Sequence, residues 1–169
     1  MAEHKNCSKC IACSTGLSQE EIITMNYNKA KEVKMPVIVP IIDDKTEDAV
    51  YIFTVGLPGI SDADGELVIS GTSINNGANI LSLVSRKIVD GSIKTQDFKN
   101  GLVLKVEGLC GLLKVKILNR QIIEQKLGSS LFTGLNLPRS EQAYHLIMSD
   151  ENGQFIKKIT KWQVGQFTK

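Results

Sequence analysis

The residues of this chain that are best suited to chemistry lie close together near its amino terminus. The segment HKNCSKCIAC supplies one imidazole and three thiols, those of His4, Cys7, Cys10 and Cys13. Zinc takes thiolates and imidazoles in tetrahedral structural sites, and a Cys-x-x-Cys pair supplies two of them from one tight turn. A regular helix could not place all four groups around one ion, but an irregular loop could. The pattern predicts a structural zinc ion whose four protein ligands leave no position for a substrate.

Other arrangements of these thiols also fit the sequence. Cys10 and Cys13 could bind a metal together with Cys110 and His145, the thiol and the imidazole that lie outside this segment. The thiols could instead be free and reduced, or two of them could form a disulfide, which persists mainly in oxidising compartments. The alternatives stay open at the level of sequence.

Two further segments have features of an anion-binding site. The loop GLPGISDADG, residues 56–65, is rich in glycine, whose backbone reaches shapes that other residues cannot, and its Asp62 and Asp64 could meet a cation or a ligand amine. The passage ISGTSINNGANI, residues 69–80, turns from a strand into a helix, and free N–H groups at a helix N-terminus attract phosphate. A plain connecting loop and an ordinary capped helix are the alternatives. The predicted ligand-binding residues are Gly56, Leu57, Pro58, Gly59, Thr72, Ser73, Asn75 and Asn76.

A histidine, two arginines and the C-terminal tail could each bind a ligand, but for each of them we favour a purely structural role. His145 lies in the strand-like run AYHLIMS and lacks a partner that the sequence identifies, so we expect a hydrogen-bonded histidine within a sheet. Arg120 and Arg139 could clamp a phosphate, but they flank no recognisable loop and are expected as solvated charges. The tail IKKITKWQVGQFTK mixes lysines with aromatic rings, as single-strand nucleic-acid binders do. We favour docking of Trp162 into the core or a second subunit.

The elements that position these residues follow from capping and periodicity. Ser18 and Glu21 form a capping box at the start of a first helix, which ends before Pro36. A second helix is predicted from Ser73 to Val89, and a short third one in NRQIIEQKL. The predicted strands are PVIVPII (36–42), AVYIFTV (49–55), ELVIS (66–70), LVLKVEG (102–108), LLKVKIL (112–118), AYHLIMS (143–149) and QFIKKIT (154–160), the last two joined by a turn at Asn-Gly.

These elements predict an α+β fold, with two or three helices packed on one face of a mainly antiparallel sheet. We divide the chain into a cysteine-rich segment (1–17), an α+β domain (18–159) and a basic and aromatic tail (160–169). Its 169 residues fit one domain, and a net charge of +2 is too small for a dedicated nucleic-acid or membrane binder. No apolar run approaches the ~20 residues that cross a bilayer, and no secretory signal is visible, so a cytoplasmic protein is expected.

Several fragments resemble one family when they are taken in order. VYIFTVGLPGISDADGELVISG, ANILSLVSRKIVDG, FKNGLVLKVEG and AYHLIMSDENGQF are similar to segments of the bacterial domain-of-unknown-function 4262 family. The resemblance implies no activity, because none is established for the family. Members often carry His-Pro-Glu-Leu where this chain has Asp-Gly-Glu-Leu at 64–67. They often carry Phe-Pro-Trp where it has Phe-Ile-Lys at 155–157, and His-Gly-Trp where it has Lys-Met-Pro at 34–36. If the family's histidines do chemistry, this chain has lost them, which favours binding over catalysis.

We therefore expect a non-catalytic protein that binds an anionic ligand such as a nucleotide, as a signal-sequestering protein would. Its pocket would lie between the glycine loop and the second helix, in a homo-oligomer. The sequence contains no HExxH, P-loop or nucleophile-elbow motif, so an enzyme is not favoured. The alternatives are a metal-dependent enzyme that uses the cysteine segment with His145, and a protein–protein interaction module built on the tail.

The zinc prediction is tested by metal analysis of the purified protein. We expect about one zinc per chain or per dimer, because the segment supplies a complete ligand set. Sub-stoichiometric metal that a chelator removes, with no change in thermal unfolding, would contradict it.

Overall fold

A computed structural model of the chain describes residues 16–42, 49–119, 142–150 and 152–155. Two helices and six strands lie within these ranges, together with 3-10 turns at Leu57–Gly59 and Thr95–Asp97. The helices are α1 (Gln19–Val33) and α2 (Ile74–Val89). The strands are β1 (Val37–Ile42), β2 (Ala49–Val55), β3 (Glu66–Ser70), β4 (Val103–Leu104), β5 (Leu113–Asn119) and β6 (Gln142–Met148).

The strands form one sheet in the order β1-β2-β3-β6-β5-β4. Every neighbouring pair is antiparallel except β3 and β6, which run parallel at the centre. The predicted α+β fold is confirmed. The edge position of β1 explains how Pro40, which lacks an N–H group, is tolerated inside a strand.

Helix α1 has the capping box that the sequence predicts. The Ser18 hydroxyl accepts a hydrogen bond from the Glu21 N–H, and the Glu21 carboxylate accepts one from the Ser18 N–H at 2.8 Å. The helix ends at Lys34, whose left-handed backbone lets its N–H group donate to the Ala30 carbonyl. The sequence predicts an apolar stripe on this helix that includes Tyr27 and Ala30, and these are the side chains of α1 that the structure shows buried.

Helix α2 packs on one face of the sheet. The sequence predicts an apolar stripe of five residues on this helix. Three of them, Leu81, Val84 and Ile88, are buried, and the other two, Ile74 and Ala78, are half-buried. The helix meets the sheet on a mixed core of Ile52, Leu67, Ile69, Leu113, Val115, Tyr144 and Leu146.

The opposite face of the central strands is buried as well. Phe53 of β2, Val68 of β3 and Ala143 of β6 alternate in sequence with residues that face α2, and each is at most 1% exposed. The sequence predicts β2 and β3 as central strands covered on both faces because few polar residues interrupt them. The structure confirms this prediction.

The sequence predicts that residues 102–108 and 112–118 form a hairpin around Gly108 and Gly111, and in the structure this hairpin is shorter than expected. Only Val103 and Leu104 pair with β5, and the chain then turns, with the Leu109 N–H donating to the Val106 carbonyl. Val106 is buried in the core, although an alternating strand would have kept it paired at the sheet edge. The chain therefore leaves the sheet after Leu104, and Val106 is buried in the core instead of continuing the strand.

The Asn-Gly turn after β6 is present. Gly153 has a φ of 74°, and the Asp150 carboxylate accepts hydrogen bonds from the N–H groups of Asn152 and Gln154. Ser149 pairs with Phe155 across this turn. The predicted strand beyond Phe155, the predicted third helix after Asn119, the cysteine segment up to residue 15 and the tail lie outside the described residues.

No helix within the described ranges is long and apolar enough to span a membrane.

Gly77 should be required for the close approach of α2 to the sheet. A Cβ atom at this position would overlap the Ile52 side chain and lie 3.0 Å from Thr72 Cγ2. We expect Gly77→Ala to lower the free energy of unfolding by roughly 1–3 kcal/mol, despite the better helix propensity of alanine. Urea unfolding measures this, with Asn79→Ala on the exposed side of the same helix as a control. Equal or greater stability of Gly77→Ala would contradict the packing described above.

Candidate functional site

The most unusual ionisable group among the described residues is Glu66, at the start of β3. Its side chain is 2% exposed, and its carboxylate accepts three hydrogen bonds. The donors are the Thr54 hydroxyl at 2.7 Å, the Gly56 N–H at 2.7 Å and the Leu57 N–H at 3.2 Å. Burial raises the pKa of Glu66 to about 7, although the three hydrogen bonds act to lower it. The group therefore titrates near neutral pH.

The glycine loop predicted to hold a ligand is occupied by this carboxylate. The N–H groups of Gly56 and Leu57 bind Glu66, while those of Gly59 and Ile60 donate to carbonyls within the loop at 3.0 and 3.2 Å. Leu57 is fully buried, and Pro58 is half-buried. The anion that these amides stabilise is thus a side chain of the protein itself.

The same loop supports helix α1. A Cβ atom at Gly56 would lie 2.7 Å from Ala30 Cβ, and one at Gly59 would lie 2.5 Å from the Tyr27 hydroxyl. Gly56 also has a φ of 95°, which other residues rarely adopt. The two glycines are therefore needed for a turn and a helix contact, and their presence does not require a ligand.

The second half of the predicted pocket lies at the other end of β3. Asn76 donates from its N–H to the Ser73 hydroxyl and from its amide side chain to the Thr72 hydroxyl, at 3.3 and 2.8 Å. Ser73, Asn75 and Asn76 are exposed, and Thr72 is buried. β3 separates this helix N-terminus from the Glu66 end by roughly 13 Å, at about 3.3 Å per residue. One phosphate group cannot contact both halves. The binding of a larger anionic ligand between them stays a prediction.

A polar cluster on the sheet brings together residues that the sequence did not connect. His145 of β6 lies directly opposite Lys116 of β5, and its Nε2 atom is 3.0 Å from the Ser70 hydroxyl at the end of β3. His145 is 2% exposed. Burial, and secondarily the positive charge of Lys116, lower the pKa of His145 to about 3, so its imidazole is neutral at physiological pH.

A second lysine extends this cluster along β5. Lys114 lies two residues from Lys116 and therefore on the same face of the sheet, and its ammonium is 4.3 Å from the Phe155 ring centroid. Both lysines are half-buried, and neither forms an ion pair with a carboxylate of the described ranges. We name Ser70, Lys114, Lys116 and His145 the basic cluster.

The sequence missed the partner of His145 because Ser70 is 75 residues away in the chain. The contact depends on the parallel pairing of β3 with β6, in which Val68 lies opposite His145. Parallel pairing of distant strands leaves no local signature such as a tight turn. The predicted hydrogen-bonded histidine within a sheet is what the structure shows.

The aspartates of the glycine loop are largely engaged within the protein. Asp64 accepts hydrogen bonds from the Tyr144 hydroxyl and the Gln142 amide, at 2.5 and 3.2 Å. Burial, followed by the contact with Asp64, raises the pKa of Tyr144. Asp62 is exposed, and its carbonyl accepts a hydrogen bond from Gln96. The contacts of the Asp64 carboxylate hold the loop against β6, and the main-chain contact of Asp62 holds it against the 3-10 turn at Thr95–Asp97.

An open cavity of about 880 Å³ lies along the side of α1 that faces away from Tyr27 and Ala30. Its lining includes the exposed Met25 and three charged side chains, of which two are acidic and one is basic. The cavity therefore has no net positive charge that would attract an anion. The lining residues within the described ranges are Ser18, Glu21, Thr24, Met25, Asn28, Lys29, Glu32 and Val33.

No group of three or more histidine, cysteine or acidic side chains forms a metal site among residues 16–42, 49–119, 142–150 and 152–155. The predicted ligands His4, Cys7, Cys10 and Cys13 lie outside these ranges, as do Arg120 and Arg139. The zinc site stays a prediction. Cys110, the possible distant ligand, is exposed.

No protein-family model, curated protein or solved structure matches this chain. The similarity of its fragments to the domain-of-unknown-function 4262 family stays a prediction. A function must therefore be argued from the geometry of the described residues.

Glu66 and His145 make opposite contributions to the pH dependence of stability. The pKa of Glu66 is raised in the fold from 4.5 to about 7, so its contribution is complete below pH 4.5 and is lost as pH rises through 7. The pKa of His145 is lowered from 6.5 to about 3, so its contribution is complete above pH 6.5 and is lost as pH falls towards 3. Between pH 4.5 and 6.5 the two slopes, each about 1.4 kcal/mol per pH unit, oppose one another.

We expect the free energy of unfolding of the unchanged protein to be nearly flat between pH 4.5 and 6.5, because these slopes cancel. In Glu66→Gln it should fall as pH is lowered, and in His145→Gln it should rise. Urea titrations at fixed ionic strength measure both effects, and Glu107→Gln, at an exposed position, is the control. Flat profiles in both variants would show that the two groups do not titrate as described.

Proposed function

We propose that this protein binds a small anionic ligand, such as a phosphate-bearing nucleotide, at the basic cluster and does not transform it. The observation that supports the proposal is the position of Lys116, a half-buried cation directly opposite a buried neutral imidazole, with no carboxylate partner in the described ranges. Withdrawing a cation from water is costly unless an anion compensates it. A ligand phosphate or carboxylate would supply that compensation.

The neighbouring groups can add directional hydrogen bonds. If the proton of His145 is on Nε2, the imidazole donates to the Ser70 oxygen, and the Ser70 hydroxyl hydrogen is available to an anion. An anion beside Lys116 would also offset the positive charge that lowers the pKa of His145. Lys114 provides a second positive charge on the same face. The cluster thus favours an anion by charge and by hydrogen bonding together.

The helix N-terminus predicted from the sequence lies at the same end of β3 as this site but on the other face of the sheet, because Lys116 and His145 alternate with residues that pack against α2. Ser70 is followed within a few residues by Ser73, the N-cap of α2, so the first turn of the helix and the basic cluster lie at the same end of β3. The N–H groups of Ile74 and Asn75 precede the first residue that has an acceptor within the helix. They contribute a partial positive charge that favours anions at this end of the sheet.

Binding is favoured over catalysis by the state of the ionisable groups. A general base works best when its pKa lies near the working pH, and the pKa of His145, about 3, is far below it. Glu66 titrates near neutral pH but is 2% exposed, and its oxygens are engaged with three donors within the fold. The first group is not protonated at the working pH and the second is already engaged, so neither is suited to act as a general base in this arrangement.

Calorimetric titration with inorganic phosphate and with adenosine monophosphate tests the proposal. We expect saturable binding, and Lys116→Gln should weaken it at least tenfold, which corresponds to about 1.4 kcal/mol. Lys94→Gln is the matched control, since this lysine is exposed and precedes Thr95, which contacts Asp64 at the other end of β3 from Ser70. Absence of binding by both probes, or equal binding by Lys116→Gln, would contradict the proposed site.

Two further measurements in the same samples separate binding from catalysis. The chain has two histidines, so the imidazole resonances of His145 can be assigned with a His145→Gln variant and should shift on ligand addition. Phosphorus NMR should recover the nucleotide unchanged. Conversion of the nucleotide that Lys116→Gln abolishes would instead establish an enzyme.

A further inference from the structure

Helix α1 has an outward side that differs from the side on which it packs. Its buried side chains, Tyr27 and Ala30, rest on the turn at residues 56–59. Met25 lies two residues before Tyr27, which is about 200° around the axis of an α-helix. Its side chain is 48% exposed. The outward side of α1 therefore presents a large apolar side chain to solvent.

Two residues of opposite charge flank this methionine. Glu21 lies four residues before Met25 and Lys29 four residues after it, and both are exposed. Side chains that are four residues apart form a continuous ridge on a helix surface. We name Glu21, Met25 and Lys29 the outer ridge of α1. All three line the open cavity along this side of the helix, so the ridge is accessible from solvent.

The two charges of the outer ridge do not satisfy each other within one helix. Eight residues separate them, which is about 12 Å along the helix axis. Lys29 forms no ion pair within the described ranges. The Glu21 carboxylate accepts hydrogen bonds from the N–H and hydroxyl groups of Ser18 through Oε2, and Oε1 accepts none from a described residue. Both charges are therefore open to a partner.

The outer ridge is complementary to itself. When two copies of α1 cross in antiparallel orientation at Met25, the two methionines meet at the crossing point. Glu21 of each copy is then level with Lys29 of the other, because both lie about 6 Å from Met25 in opposite directions along the axis. A two-fold axis makes each contact twice. The antiparallel macrodipoles add a small favourable contribution.

Other arrangements of the same two helices bring like charges together. Parallel helices in register would place Glu21 beside Glu21 and Lys29 beside Lys29. Antiparallel helices that cross between residues 26 and 27 would place Glu21 level with Glu32 of the second copy. Like charges in direct opposition are unfavourable, so the charge pattern selects the crossing at Met25.

We propose that the outer ridge of α1 is a self-association surface, to which a second copy of this chain binds through its own outer ridge in antiparallel orientation. The occupant is a second copy because the ridge matches its own charge sequence when that sequence is reversed. The contact does not involve the basic cluster or the proposed ligand.

The size of the surface sets the strength of the expected dimer. One face of a single helix is smaller than the roughly 800 Å² that each partner buries in a standard stable interface. A reversible dimer is therefore expected, with a dissociation constant above about 1 μM. Burial of the two methionines favours association, and the two Glu–Lys pairs determine its orientation.

Sedimentation equilibrium of the full chain between about 10 μM and about 1 mM tests the proposal. We expect the mean mass to rise with concentration from monomer towards dimer. Lys29→Glu should weaken association at least tenfold, because it replaces both Glu–Lys pairs with like charges. Lys31→Glu is the matched control, because it makes the same change of charge on the same helix. Lys31 lies away from the ridge, with its ammonium 5.2 Å from the Tyr27 ring centroid.

Exchange of the two charges tests the orientation. Glu21→Lys combined with Lys29→Glu restores opposite charges at each contact and should recover association to within a few-fold of the unchanged protein. Circular dichroism shows whether α1 survives the loss of its capping box. If it does not, Glu21→Gln decides, because glutamine also serves in a capping box and removes only the charge. This variant should associate more weakly than the unchanged protein.

Three results would overturn the proposal. The first is a monomer at every concentration, which would leave the outer ridge to a different partner or to none. The second is a dimer that Lys29→Glu leaves unchanged or weakens no more than Lys31→Glu does. The third is a charge exchange that fails to restore association while α1 remains helical or, where α1 is lost, equal association of Glu21→Gln and the unchanged protein.

Discussion

The contacts of the buried Glu66 carboxylate organise one side of this fold. They connect the start of β3 to Thr54 of β2 and to the two amides that begin the following turn. The turn then supports Ala30 and Tyr27, through which α1 packs on the domain. A single carboxylate, which has no cationic partner among the described residues, thus links two strands, a turn and a helix. Because the partners are neutral donors, the arrangement tolerates the ionised carboxylate but does not strongly favour it.

This use of the glycine loop changes where a ligand can bind. Free amides and glycine-shaped backbone are features of an anion site, and here the loop has both the shape and the anion within its own chain. The basic cluster lies near the other end of β3, at Ser70, and it presents positive charge without a bound anion from the described residues. There, Lys116 and Lys114 supply positive charge that described carboxylates do not pair with, and His145 is held neutral by burial. The two regions therefore differ in a respect that matters for function. The Glu66 carboxylate already has three hydrogen-bond donors, whereas the two lysines have no carboxylate partner among the described residues.

Prediction from sequence worked where local interactions decide the structure. Ser18 and Glu21 satisfy each other's backbone and side-chain groups within one helical turn, so the start of α1 was evident from spacing. Strands β2 and β3 were evident because an apolar run without polar interruption has to be buried on both faces. Prediction failed for residues 105–108, where a hairpin arm was expected but the chain leaves β5 after Leu104 and Val106 is buried in the core. In that segment a contact with distant residues outweighs the local pattern.

The sequence by itself determined the two described helices, most of the described strands and the α+β class, because capping, periodicity and turn chemistry act between residues that are neighbours in the chain. Only the tertiary structure decided the site. The parallel pairing of β3 with β6 places Ser70 beside His145, and the antiparallel pairing of β6 with β5 places Lys116 opposite it. The same packing buries Glu66 beneath the glycine loop and occupies amides that would otherwise be open to a ligand. Register between distant strands depends on the whole core, so no stretch of sequence contains this information alone.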